Sequence, residues 1–323
     1  MNEPHFHAHC EAREMDKRLR TSYDKQKNIP VPSERVFPMY ALTGANGQLG
    51  RLVLQHLLML VPADQIIATT RNPHRFDHFE TRGIIVRHAD FADPATLQAA
   101  FAGAKSLLII STNDIGHRVE QHQAAIEAAA LAGVRQIVYT SCPEASAHAS
   151  SPIKQEHGLT ESALAASSVA WTALRNHLYT EALPYIINSL RIGDQLLIPE
   201  GQGKPAWITR EDCARTAAFV LAGKSHFSGP VDVTGPERLG LTDIAQRYSS
   251  ISGHPLTARV LPEHEIIAQL IAKGVPAQVA AGAVGIASGV VHDTTSTVST
   301  IVEQATGTPA SPVDVVLRFL AAS

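Results

Sequence analysis

Three glycines at three-residue steps, Gly44, Gly47 and Gly50, stand where a short apolar run, Tyr40-Ala41-Leu42, gives way to an amphipathic one opening at Arg51. The first permits a turn that a Cβ would hinder. The second lets the main chain approach a pyrophosphate, and the third lets the following helix pack closely. A helix starting there aims unpaired N–H groups and the positive end of its dipole at the phosphates. With Asn46, Gln48 and Leu49 between them, these residues read as a dinucleotide-binding βα turn. The spacing is G-x-x-G-x-x-G rather than the commoner G-x-G-x-x-G, and a glycine-rich turn that binds nothing shares it. A second informative position is Arg71, just after the strand-like run Gln65–Thr70. An NAD site carries Asp or Glu there for the ribose 2′-OH, whereas Arg pairs with a 2′-phosphate. Arg75 follows one helical turn on. NADP(H) is thus favoured over NAD, against the plain alternative of a solvated arginine at a helix start.

Further along, Lys105–Ile110 is almost wholly apolar, as a central parallel strand buried on both faces should be. It ends in Ser111, Thr112 and Asn113, which should line the cofactor cleft, because ligands of such sheets lie beyond the carboxyl ends of the strands. Arg118, which opens the next helix, completes the candidate cofactor set. Asp90 follows the third strand, where it either meets the adenine edge or serves as a loop or capping residue.

The elements that must position these groups alternate regularly. Helix is expected from Gln48 to Leu60, from Arg118 to Ala132 and from Lys154 to Ser167; strand at 65–70, 83–88, 105–110 and 136–141. This β-α alternation excludes an all-β or α+β fold and points to an α/β, Rossmann-like doubly wound parallel sheet. The chain has 323 residues, 45% of them hydrophobic, enough for a large core. A net charge of −3 gives no basic field for nucleic acid. The three cysteines, Cys10, Cys142 and Cys213, form no CxxC pair and fit a reducing, cytoplasmic setting. No apolar run is long enough to span a bilayer, and no secretory signal opens the chain. Residues 1–38 are polar and proline-closed, and read as a disordered tail. Within it, His5-Phe6-His7-Ala8-His9-Cys10 is a chance cluster rather than a metal site, so no metal is expected. Thr209-Arg210-Glu211-Asp212 looks like a capping box, which makes Asp212 a helix-start residue rather than a catalytic acid. Thr242 is expected to cap the helix after it. The apolar stretch 263–305 should form helices that close a substrate cleft or simply fill a core.

The glycine turn, Arg71-Asn72-Pro73, Tyr139-Thr140-Ser141, Leu174-Arg175-Asn176 and Trp207–Asp212 resemble the NmrA-like branch of the atypical short-chain dehydrogenase/reductases, near its quinone- and triphenylmethane-reducing members. The resemblance covers about residue 39 to the end. It implies a Rossmann domain at 39–183, with a later strand and helix from about 205–235, and a small C-terminal α/β substrate lobe in 184–323. It also implies NADPH as hydride donor and a planar conjugated acceptor such as a quinone. Ordinary short-chain dehydrogenases use Tyr-x-x-x-Lys, and the match here, Tyr23–Lys27, lies in the tail and is a coincidence. Quinone reduction tolerates that absence, because water can protonate the acceptor's oxygen. Two departures from the pattern stand out. Ser162 replaces a lysine that the family holds near its cofactor, and Lys154 lies two turns away. His177-Leu178-Tyr179 replaces a small residue and an aromatic, so that Asn176, His177 and Tyr179 become the candidates for substrate chemistry. His177 would donate a proton, wall the pocket or play a purely structural part.

The expected function is an NADPH-dependent reductase of quinones or similar conjugated acceptors. Its rivals are a non-catalytic NADP(H)-binding redox sensor, acting as a homodimer or through a protein partner, and a scaffold with an empty cleft.

Overall fold

Short apolar runs separated by helical stretches build a seven-stranded sheet among the described residues. In the computed structural model, which describes residues 38–76 and 82–322, β1 (Met39–Leu42) leads to α1 (Gln48–Leu60), β2 (Ile66–Thr70), β3 (Ile85–His88), α2 (Leu97–Phe101), β4 (Ala104–Ile109), α3 (Arg118–Leu131), β5 (Gln136–Ser141), α4 (Pro152–Ala166) and β6 (Ala170–Asn176). Then come α5 (Leu183–Leu190), β7 (Arg191–Ile192), β8 (Gln195–Pro199), α6 (Arg210–Leu221), β9 (Gly229–Val233), α7 (Leu241–Ser252), β10 (Thr257–Leu261), α8 (Glu263–Ala272), α9 (Ala277–Val291), α10 (Ile301–Thr306) and α11 (Asp314–Ala322). The large sheet has the order β3-β2-β1-β4-β5-β6-β9, and each neighbouring pair is parallel. Strand order reverses between β1 and β4, which opens a crevice at their carboxyl ends. The fold is the expected Rossmann-like α/β sheet.

Side chains of a strand alternate between faces, so a sheet covered on both sides needs apolar residues at every position. Leu42, Ala68, Leu108, Val138, Leu174 and Val233 fill the face that α1 and α6 cover. Ala41, Ile67, Leu107, Ile137, Tyr139 and Ala173 fill the opposite face, with Phe101, Ala125 and Ala129. The helix α6 packs on α1, and Glu211 Oε1 meets His56 Nε2 at 2.8 Å between them. β9 takes the edge of the sheet beside β6.

A second sheet, β10-β8-β7, has its own apolar core. There Leu196, Leu197 and Ile198 of β8 meet residues of α5, α7, α8, α9 and α11. The stretch 263–305 holds the helices α8, α9 and most of α10, with a loop at 292–300 before α10, and its helices divide by face: Ile266, Leu270 and Val284 are buried, whereas Ile271, Val279 and Ile286 are exposed.

Local signals at two helix starts differ from expectation. Thr209 does cap α6, accepting from Asp212 N at 3.0 Å. The Asp212 carboxylate, however, accepts from the Thr209 hydroxyl at 2.7 Å and from Ser311 N at 2.8 Å, rather than closing a capping box on the backbone. With Arg215 on its other oxygen at 2.6 Å, Asp212 is fully used as a tie between α6 and the C-terminal segment. Thr242 does not cap α7. Gly240 is the N-cap, and its N–H donates to Asp243 at 2.9 Å, because Asp243 sits at the third helical position where a carboxylate reaches back. The tail with His5–Cys10 and Tyr23–Lys27 lies outside the described residues.

Candidate functional site

The glycine turn has one plain physical requirement at each end. Gly44 sits at φ +61°, a left-handed conformation that glycine adopts without strain. Gly50 is buried in the first turn of α1, where a Cβ would fall 2.3 Å from Gly44 O and 2.8 Å from Ala45 Cα. Its close approach is therefore to the turn itself. Gly47 and Gln48 are exposed, and Leu49 is half-buried. α1 starts at Gly47 with no side-chain cap and no acid in its first turn. Its leading N–H groups are left for an anion. Beside them Asn46 donates to Thr70 Oγ1 at 2.8 Å, and this ties the turn to the end of β2. The Asn46 Oδ1 atom is buried and unpartnered.

Arg71 follows β2 directly and is exposed, with no ion-pair partner among the described residues. Asp90 shapes its own loop through one oxygen: Oδ1 accepts from Ala92 N at 3.0 Å, and its backbone bridges Asp93.

After β4 the chain opens into Ser111, Thr112 and the exposed Asn113. Thr140 of β5 takes the Ser111 N–H at 2.8 Å and donates its hydroxyl to Ser111 Oγ at 3.2 Å. His122 Nε2 accepts from Thr112 N at 3.2 Å, and its Nδ1 meets Thr160 Oγ1 at 3.1 Å. Burial, then the neighbouring His157 and Arg118, lowers His122 to about 3, so it is neutral and holds the loop as an acceptor. Arg118 is 4% exposed. It donates to Thr112 O at 2.8 Å and pairs with Glu156 at 3.2 Å. Glu156 in turn accepts from Gly116 N at 2.6 Å. The structure thus places Arg118 as a brace of the 111–116 loop.

At the ends of β5, β6 and β9 lies a dense group of charged and polar side chains. Glu161 of α4, 7% exposed, receives Arg175 of β6 through two bonds of 3.0 and 2.6 Å and the Ser141 hydroxyl at 2.6 Å. Lys154 reaches Glu144 at 2.5 Å. Glu144 sits at φ +56°, alone among the described non-glycine residues in having a positive φ. Thr294, from the loop after α9, donates to the same carboxylate at 2.9 Å. The Lys154 hydrogen bond is the main cause that holds Glu144 below its ordinary carboxylate range. Ser162 donates its hydroxyl to Gly158 O at 2.9 Å, back into its own helix. Gly158 itself is required, since a Cβ there would meet Ser146 backbone at 2.1 Å.

The three substrate candidates follow one another at the end of β6. Asn176, 8% exposed, donates to Tyr179 OH at 3.2 Å and keeps its Oδ1 unpartnered. The half-buried Tyr179 ring lies under Arg210, 4.8 Å from its centre, and burial pushes its hydroxyl pKa up. His177, 3% exposed, sets Nε2 3.2 Å from Asp232 Oδ1 and leaves Nδ1 buried without a partner. Asn176 thus pairs with Tyr179, and His177 with Asp232. Burial pushes the Cys142 thiol up to about 11, which leaves it protonated and unreactive. Sequence reasoning missed Glu144, Glu161 and Asp232 as site residues, because each earns its place through a partner far along the chain. Among the described residues no group of His, Cys, Asp and Glu is arranged to hold a metal ion. None of their helices is long and apolar enough to cross a membrane.

Residues 44–223 match a family model described as NAD(P)H-binding. Quinone oxidoreductase 2 of Escherichia coli is 36% identical over 85% of this chain and 97% of its own length. An NmrA-like family domain-containing oxidoreductase of Aspergillus flavus is 28% identical over 71% of this chain and 76% of its own. The crystal structure of Citrobacter sp. triphenylmethane reductase complexed with NADP(H) superposes with a TM-score of 0.77 at 30% identity, covering 88% of this chain and all of that one.

Proposed function

This chain belongs to the NAD(P)H-binding, NmrA-like family, and from that premise we propose that it is an NADPH-dependent reductase of quinones or similar conjugated acceptors. NADPH, when bound, supplies the hydride. The residues present fit it: an uncapped helix start with no acid in its first turn leaves backbone N–H donors for a pyrophosphate, and the exposed Gly44 and Gly47 put no side chain in its way. Gly44, Asn46, Gly47, Gln48, Leu49 and Gly50 hold that linker, and Arg71 pairs with the 2′-phosphate. Ser111, Thr112 and Asn113 carry the ribose and nicotinamide side, and Arg118 serves them through the loop that it braces. Asp90 stays with its loop. Residues 39–183, with α6 and β9, form the cofactor domain, and most of 184–323 forms the acceptor lobe. A cytoplasmic setting suits this chemistry and the free, separated thiols Cys142 and Cys213 of the described residues.

The observation that carries the reading is Arg71, exposed beside the glycine turn and without an ion-pair partner among the described residues. Its test is NADPH oxidation by the purified chain with a panel of quinones. Turnover above background with NADPH, and much less with NADH, is expected. Tight NADPH binding with no turnover of any acceptor would overturn the reductase.

A further inference from the structure

At the amino ends of β1, β4, β5 and β6, away from the glycine turn, lies a cavity of about 610 Å³. Small-molecule pockets run from about 300 to 1,000 Å³. The floor is a single row of the sheet: Tyr40 pairs with Ser106, Ser106 with Gln136, and Gln136 with Ala170. Residues of one row face the same way, and this row faces the side that α6 covers. The next row on that side holds Leu42, Leu108 and Val138, so Tyr, Ser and Gln in the floor are out of keeping with plain core. Ser106 is 4% exposed, yet its hydroxyl makes no hydrogen bond with a described residue, and neither does the Gln136 amide. The loop 222–228, between α6 and β9, roofs the space. It is held down by the Thr172 hydroxyl on Phe227 O at 2.5 Å and the Ser225 hydroxyl on Ala305 O at 2.6 Å. The exposed Lys105, Arg135 and His226 and the half-buried Trp171 complete the lining. None of the three basic residues has an ion-pair partner among the described residues, and no lining residue is acidic. Bases placed after α2, α3 and α6 complement the negative ends of those helices. That accounts for their sign, but not for a cavity whose floor keeps its polar groups unpaired.

We propose that this cavity is a second small-molecule site, for a ligand with a flat apolar body and a carboxylate or phosphate group. Lys105 and Arg135 pair with the anion, and His226 stands beside them. The flat body lies against Trp171 and Phe227, whose rings offer broad apolar faces. Ser106 and Gln136 take up the ligand's inner polar atoms. The site goes beyond the reductase reading and does not depend on it. The length of β5, Gln136–Ser141, separates it from the cofactor end of the sheet, a distance of roughly 16 Å at the usual rise of a strand.

The chain carries its own reporter. It has two tryptophans: Trp171 lines the cavity, whereas Trp207 is 1% exposed and donates Nε1–H to Leu239 O at 2.8 Å. The full chain, with its indole nitrogens labelled, is titrated with phenyl phosphate, with benzoate and with benzyl alcohol as the uncharged control, each with and without saturating NADPH. The Trp171 indole signal should move saturably with the anions and that of Trp207 should stay, and NADPH should not weaken their binding. Benzyl alcohol should bind far less tightly. Arg135→Gln and Lys105→Gln, both at exposed positions, should each weaken the anions by about 10-fold, the scale of one hydrogen bond to a charged group, and leave benzyl alcohol unaffected. The tighter of the two anions then identifies the head group. The proposal is overturned if Trp171 is silent to both anions, if NADPH displaces them, or if both variants bind them as the unaltered chain does. Quinone turnover plays no part in the readout, so the result stands whether or not the chain is a reductase.

Discussion

At the scale of single residues, the turn and the arginine beside it make separable demands. Gly50 is set by packing: any Cβ there meets backbone atoms of Gly44 and Ala45 that have nowhere to go. Gly50→Ala should lower stability by about 1–3 kcal/mol, as overpacking does, and weaken NADPH binding because the turn must shift. Thermal melts with and without NADPH check both effects, and an unchanged melt would contradict the geometry. Arg71 is different, since its side chain is exposed and has no ion-pair partner among the described residues. Arg71→Ala should leave the melting temperature alone and weaken NADPH binding by about 10- to 100-fold, the worth of a hydrogen bond to a charged group. NADH affinity should not move. Calorimetric titration of both nucleotides distinguishes this from a general loss of the site. These two positions were legible in the sequence because their signals are local: a glycine step after a strand, and the residue type at one strand end.

At the scale of elements, legibility follows how local each cause is. The bounds of α1, Gln48–Leu60, came directly from helical periodicity ended by Pro62. β4 and β5 were visible because strands buried on both faces read as continuous apolar runs. β8 and α11 were not read. β8 pairs with β10, some sixty residues on, and β8's apolar run of Leu196-Leu197-Ile198 is too short to separate strand from helix. The site divides likewise. Arg175 and Glu161 are 14 residues apart, and His177 and Asp232 are 55 apart, so nothing in either neighbourhood announces the pair. One such long-range tie joins three elements: Glu144 after β5, Lys154 in α4 and Thr294 after α9. Its carboxyl is depressed chiefly by Lys154. Its stabilising effect is therefore complete above the unfolded value and is lost as pH falls through the folded one. Glu144→Gln should reproduce the acid effect at neutral pH. Amide exchange in residues 294–300 should speed up by about fivefold, the scale of a partly exposed ion pair. Hydrogen-exchange mass spectrometry reads it, and unchanged exchange would show that the tie does not restrain that loop.

At the scale of the whole molecule, the opposite face of the large sheet hides a pH dependence that the cleft does not control. Tyr139 of β5 meets His157 Nδ1 at 2.6 Å, and its ring stands edge-on to His122. Both imidazoles serve as neutral hydrogen-bonding groups in a buried network, lowered from 6.5 to about 4 and about 3, in each case mainly by burial. An unfolded chain takes up protons on them below its own value, while the folded chain refuses them until much lower pH. The unfolded state then binds more protons, so stability rises with pH throughout that window and falls on acidification. Each group contributes about 1.4 kcal/mol per pH unit once well below 6.5, or roughly 2–3 kcal/mol per unit for both together. Urea midpoints should therefore be level above pH 7 and drop steeply between pH 6 and pH 5, before the paired carboxylates begin to protonate. His157→Gln should reduce that slope by about half while leaving the Arg71 and glycine-turn functions in place. A midpoint that holds steady from pH 7 to pH 5 would mean that the two rings find water or partners on protonation, and that the core between β5, α3 and α4 yields to charge.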